Sequence, residues 1–116
     1  MISYFEIPVS DMDRAMAFYA KVLGLKFDRQ SIDGYDMAVI VSDGPVFGAL
    51  ARGDVYVPGK AGPVLYFAVS DIRATLARAV AAGGSELYPV KDIGANGWVA
   101  EFADSEGNRI ALSQPK

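Results

Sequence analysis

Phe5-Glu6-Ile7-Pro8-Val9-Ser10-Asp11 and Tyr66-Phe67-Ala68-Val69-Ser70-Asp71 decide the fold, because the second stretch repeats the first. In each, an alternating run ends at Val-Ser-Asp and a helical pattern begins. Tyr4, Glu6 and Pro8 fall on one side of the first run, and Phe5, Ile7 and Val9 on the other. That period of two belongs to a half-buried strand. Ser10 or Asp11, and Ser70-Asp71 in the second stretch, can cap the following helix by accepting a hydrogen bond from a free N–H of its first turn. The two Val-Ser-Asp triplets lie 60 residues apart, as do Ala17 and Ala77, and Gly24 and Gly84. Matches in one phase, each at an equivalent structural junction, indicate an internal repeat.

Working outward, Ala15, Phe18, Tyr19, Val22 and Leu23 form one apolar helical stripe that Gly24 ends. Strands are predicted over 25–31 and 35–41, joined by the hairpin signal Asp33-Gly34. A further strand over 46–51 follows the Asp43-Gly44-Pro45 turn. The Gly- and Pro-rich stretch 53–62 reads as a mobile linker. The pattern then restarts: a strand over 64–69, a helix with the stripe Ile72, Leu76, Ala79 and Val80, a stop at Gly83-Gly84, a short strand over 86–90, and a hairpin of 98–103 with 109–113. The predicted class is α+β, two tandem βαβββ modules, with module one at 1–52, the linker at 53–62 and module two at 63–116. Too many strands separate the helices for a ferredoxin-like order.

Composition narrows the chemistry. With 52% hydrophobic and 22% charged residues, the chain can build a core. Its net charge of −3 and scattered Lys and Arg argue against nucleic-acid binding. No apolar run reaches the roughly 18 residues of a membrane span. Met1-Ile2-Ser3-Tyr4 lacks the basic-then-apolar pattern of a signal peptide, so the expected location is the cytoplasm. The chain has no Cys and no His. Thiolate zinc sites, cysteine nucleophiles and Ser-His-Asp triads are therefore excluded. The 53–62 stretch lacks the Gly-Lys-Ser/Thr ending of a phosphate loop. Asp104-Ser105-Glu106-Gly107-Asn108 is too short for an EF-hand and reads as a turn.

Three stretches carry a family resemblance. The first is Phe5 through Asp11 running into Arg14-Ala15, Ala17-Phe18-Tyr19 and Leu23-Gly24-Leu25. The second is Tyr66 through Asp71. The third is Phe102-Ala103-Asp104-Ser105-Glu106-Gly107-Asn108-Arg109-Ile110-Ala111-Leu112. Together they resemble the vicinal oxygen chelate superfamily, the glyoxalase, bleomycin-resistance and extradiol dioxygenase group. The resemblance implies two βαβββ modules curled around a cavity, and in the chemically active members a divalent metal held by residues on the first and fourth strands of each module. Transferred through the repeat, those positions are Tyr4, Ala49, Val64 and Ala111. Three of them have no side-chain lone pair, and Tyr4 is a phenol with an ordinary pKa of about 10. No metal and no other cofactor is therefore expected, and metal-dependent glyoxalase or dioxygenase chemistry is disfavoured.

Strand alternation assigns the cavity lining. Tyr4 and Glu6 share a face; Phe47, Ala49 and Ala51 line it in module one. Val64, Tyr66 and Ala68 line it in module two, with Val99, Glu101, Arg109, Ala111 and Ser113. Tyr4, Phe47, Tyr66 and Trp98 can stack on a planar ligand. The expected function is binding of a small, aromatic organic molecule, by sequestration without chemistry, as the resemblance to the bleomycin-resistance branch implies. The alternative is a metal-independent isomerase or lyase acting on a small carbonyl compound, for which Glu6 and Glu101 are the catalytic candidates. A partner module without a cavity is a third reading. A homodimer is expected, since small members of the family complete the cavity between two chains.

Overall fold

A computed structural model describes residues 1–116. The chain divides into two compact units, Met1–Pro58 and Gly59–Lys116. The first contains β1 (Phe5–Pro8), α1 (Met12–Leu23), β2 (Lys26–Ile32), β3 (Tyr35–Val41) and β4 (Gly48–Arg52). The second contains β5 (Leu65–Ala68), α2 (Ile72–Ala81), β6 (Ser85–Asp92), a 3-10 turn at Gly94–Asn96, β7 (Trp98–Ala103) and β8 (Arg109–Gln114). Each unit is one βαβββ module, and the protein is α+β. Neither helix is long and apolar enough to cross a membrane.

Both sheets have the same topology. Their strand orders are β1-β4-β3-β2 and β5-β8-β7-β6. The first and last strands of each module pair in parallel, and every other pairing is antiparallel. A parallel return needs a crossover, and the intervening helix and hairpin supply it. The Asp33-Gly34 turn has φ values of 53° and 80° at its two residues. Such a left-handed pair matches the right-handed twist of the β2 and β3 strands it joins.

Each helix is capped where the repeat places a cap, and Asp rather than Ser does the work. The Asp11 carboxylate accepts from the Arg14 N–H at 3.0 Å, and Asp71 from the Ala74 N–H at 3.1 Å. Ala15, Phe18, Tyr19 and Val22 of α1 are buried, with Ile7, Val9, Ala38, Ile40 and Leu50 of the sheet. In the second module Ile72, Leu76 and Ala79 are buried with Ala100, Phe102, Ile110 and Leu112. Fully burying a Val, Leu, Ile or Phe side chain among them is worth about 1.5–3 kcal/mol. One expectation about α2 needs correction. Val80 is 48% exposed, and Thr75 takes its place in the buried stripe. The Thr75 hydroxyl donates to the Asp71 carbonyl at 2.9 Å, which makes its burial affordable.

Strand bounds also shift. β1 begins at Phe5 rather than near Ile2, and β4 begins at Gly48 rather than Val46. The predicted short strand at 86–90 is the longer β6, whose pairing with β7 slips on both sides of Tyr88. Pro89 cannot donate to a ladder, and such bulges accommodate it.

The connector is tied at each end to its own module. The Tyr56 N–H donates to the Gly53 carbonyl at 3.0 Å, and the Tyr56 hydroxyl donates to Glu6 at 2.8 Å. Beyond it, the Gly59 N–H donates to Asn108 Oδ1 at 3.0 Å. Asn108 is buried, and its own side-chain amide donates to the buried Asp104 carboxylate at 3.0 Å. A freely mobile linker would leave these groups to solvent.

Gly97 offers a stability test. Its φ is 96°, and a Cβ there would collide with the Gln114 carbonyl oxygen. Gly97→Ala should destabilise the protein by about 1–3 kcal/mol from backbone strain alone, read as a lower midpoint in urea unfolding. An unchanged midpoint would show that the strand end relaxes freely.

Candidate functional site

The register of the sheets fixes which side chains share the face turned away from each helix. In the first module, Glu6 lies beside Ala49, and Ala49 beside Val39. The next row is Pro8, Ala51 and Met37. Ile7 and Leu50, which alternate with these residues, join the helix side. Ala49 and Ala51 have no exposed surface, so β4 is buried on both faces.

In the second module the corresponding row is Tyr66, Ala111 and Glu101, followed by Ala68, Ser113 and Val99. Each open face thus carries an alanine with a carboxylate directly alongside. The carboxylate sits on the first strand in one module and on the third strand in the other.

Glu6 is held by phenols. The Tyr4 hydroxyl donates to its Oε2 at 3.0 Å, and the Tyr56 hydroxyl donates to its Oε1 at 2.8 Å. Partial burial, then the hydrogen bond to Glu6, push the Tyr4 pKa up to about 12. The hydrogen bond to Glu6 is the leading cause of an upward shift at Tyr56 as well. Both phenols are therefore neutral donors at neutral pH. Tyr56 also meets Tyr35 edge-on, with ring centroids 5.4 Å apart. Sequence reasoning missed Tyr56 because it lies in the connector, outside any strand whose parity could assign it. The one available signal was a lone tyrosine within a Gly- and Pro-rich stretch.

Glu101 is held by a cation. Arg109 grips it with two bonds, Nε to Oε1 at 2.6 Å and Nη2 to Oε2 at 2.9 Å. The guanidinium hydrogen bonds hold the Glu101 carboxyl below the usual carboxylate range. Such a carboxylate is a poor base near neutrality. A small pocket of about 90 Å³ beside it is lined by Tyr88, Lys91, Val99, Ala100 and Glu101. In the first module a more open groove of about 370 Å³ is bordered by Val9, Ser10, Arg52, Gly53, Asp54 and Tyr56.

Two expected lining residues fall outside the rows that the register fixes. Trp98 is three residues from Glu101 and so falls on the opposite face. It pairs with Gln114 and Asp92, and the Lys116 ammonium sits 4.3 Å above its ring. Phe47 precedes the start of β4, so strand alternation does not reach it. Its ring packs 5.7 Å from that of Phe5, a residue in register with Gly48 and outside the Ala49 row. Tyr66 is 56% exposed, and Val64 is half-buried just before β5.

The positions that the resemblance assigns to metal ligands do not form a donor set. Ala49, Ala111 and Val64 offer no lone pairs, and the Tyr4 hydroxyl proton is committed to Glu6. No group of three or more Asp or Glu side chains is arranged to hold an ion. Divalent cations need several convergent oxygen or nitrogen donors, so these residues do not fit one.

The Glu101–Arg109 pair gives a pH signature. Because the folded pKa of Glu101 lies below its unfolded value, its contribution is present above the ordinary carboxylate range. It is lost as pH falls through the depressed folded value. Thermal melting of Glu101→Gln should be lower than that of the parent at pH 7, and the two curves should converge as the solution is acidified. A difference independent of pH would assign the effect to packing.

The model of the Glyoxalase/Bleomycin resistance protein/Dioxygenase superfamily matches residues 1–112. A glyoxylase-like domain-containing protein of Didymella fabae is 31% identical over 118 residues, covering 96% of this chain and 91% of that protein. Among solved structures, TnmS3, an antibiotic binding protein from Streptomyces sp. CB03234, is 26% identical with a TM-score of 0.75, covering 100% of this chain and 96% of its own. A family enzyme from Burkholderia phytofirmans PsJN superposes with a TM-score of 0.78 at 18% identity, covering 99% and 98% of the two chains. With the repeated modules and the matching family model, this chain belongs to the Glyoxalase/Bleomycin resistance protein/Dioxygenase superfamily.

Proposed function

We propose that this protein binds a small, aromatic organic molecule without a metal and without changing it, by sequestration on the faces of its sheets turned away from the helices. One observation carries the reading. The places where the superfamily grips an ion hold Ala49, Val64, Ala111 and a Tyr4 already bonded to Glu6. What remains accessible in these rows is Pro8, Val39, Ala68 and Val99 with Tyr4 and Tyr66 beside them, the make-up of a site that holds flat molecules by contact. The likeness to an antibiotic binding protein supports the same conclusion. We include homodimer formation and a cytoplasmic location in the proposal.

A metal-independent isomerase or lyase is the second reading, favoured by the two phenolic donors converging on Glu6. It requires a carboxylate free to take a proton, whereas Glu6 already accepts two hydrogen bonds and Glu101 is locked to Arg109.

The test is calorimetric titration of chelator-treated protein with a panel of polycyclic aromatic antibiotics. Mass spectrometry then follows the recovered compound and, under native conditions, the subunit count. Saturable binding at one compound per site, untouched by chelator and with the compound's mass unaltered, is expected. Binding that vanishes with chelator, or a ligand returned chemically changed, would overturn the proposal. If turnover appears and Glu6→Gln abolishes it, the second reading takes its place.

A further inference from the structure

The two open-face carboxylates are treated differently by their surroundings. Glu101 has its own counter-charge in Arg109, within the same sheet. Glu6 has none. Its two hydrogen bonds both come from neutral phenols, Tyr4 and Tyr56. Tyr56 in turn stands perpendicular to Tyr35, with an interplanar angle of 90°. Two phenols thus meet one carboxylate, a third tyrosine stands against one of them, and no Lys or Arg of the first module forms an ion pair with that carboxylate.

The local sequence is shaped to build this cluster. Tyr35 lies over Gly53, and a Cβ on Gly53 would collide with the Tyr35 ring and stand 3.5 Å from Tyr56 Cδ2. Glycine therefore makes the space in which the two rings meet. The Gly53-to-Tyr56 turn, closed by its backbone hydrogen bond, then directs the Tyr56 hydroxyl back to β1. The cluster is accessible, since Glu6 is exposed and Tyr4 is 42% exposed.

Aromatic faces carry negative charge density and attract cations, most strongly for organic ammonium groups whose hydration is weak. A carboxylate among such rings adds a full negative charge, and its phenolic donors fix its orientation without cancelling that charge. Module two has the same fold but answers its carboxylate with arginine, so the difference lies in the side chains alone.

We propose that Glu6 with Tyr4, Tyr35 and Tyr56 is a receptor for an organic cation, a tertiary or quaternary ammonium group carried by the bound molecule. This rests on the binding reading above and specifies one chemical feature of the ligand. The ammonium group lies against the tyrosine rings beside Glu6, while the aromatic body of the ligand covers the apolar rows.

The experiment uses tetramethylammonium as the probe and tert-butanol, of similar size, as the uncharged control. Both are titrated into the full chain while the tyrosine ring resonances are followed by NMR. Tetramethylammonium should shift Tyr4, Tyr35 and Tyr56 selectively, and bind about tenfold more tightly than tert-butanol. Glu6→Gln should remove most of that preference. Equal binding of the two probes, absent ring shifts, or a preference that survives in Glu6→Gln would overturn the proposal. Should Glu6→Gln not fold, the discrimination by the parent protein decides alone. Loss of the cation preference with aromatic compounds still bound removes only this inference. Cation capture without any aromatic binding removes the aromatic part of the earlier reading instead.

Discussion

The parallel pairing of the first and last strands in each module is the constraint on which the rest depends. It sets Glu6 beside Ala49 and Tyr66 beside Ala111, and it forces each helix to cross to one face of its sheet. Once Ile7 and Leu50 are committed to α1, their neighbours Glu6 and Ala49 must face away from it. A slip of one residue would bury Glu6 against the helix and expose Ile7. The penalty for burying an unpaired carboxylate makes that register inaccessible.

Given that frame, the two modules solve one electrostatic problem in two ways. A carboxylate on an otherwise apolar face needs hydrogen-bond donors. In module two a forked guanidinium supplies two donors and the opposite charge together. In module one two phenols supply donors only. The first arrangement is close to neutral and quenches basicity, while the second leaves a negative pole on the face. Duplicated folds can thus diverge in side-chain chemistry with their backbone topology intact.

Much of this architecture was legible in the sequence, because its signals are local. Asp11 and Asp71 cap helices at positions equivalent in the repeat, and Asp33-Gly34 is a turn that few other residue pairs can form. The face assignments of Glu6, Ala49, Glu101 and Ala111 follow from alternation within strands that run unbroken. Alternation fails where a strand ends or bulges. Phe47 lies one residue before β4, and β6 slips on both sides of Tyr88. Trp98 was named as a stacking candidate for its ring alone, although Glu101 in the same strand puts it on the other face. Tyr56 was invisible for a different reason: its role depends on a partner 50 residues away, which no local pattern encodes.

The anchoring of the connector has a consequence for the history and engineering of such chains. Tyr56 is fastened to the first module and Gly59 to the second, so only Val57 and Pro58 lie between the two attachments. Proline there restricts the backbone further, since its ring fixes φ. Because each attachment is made within its own module, a cut or an insertion between Val57 and Pro58 leaves both bonds in place.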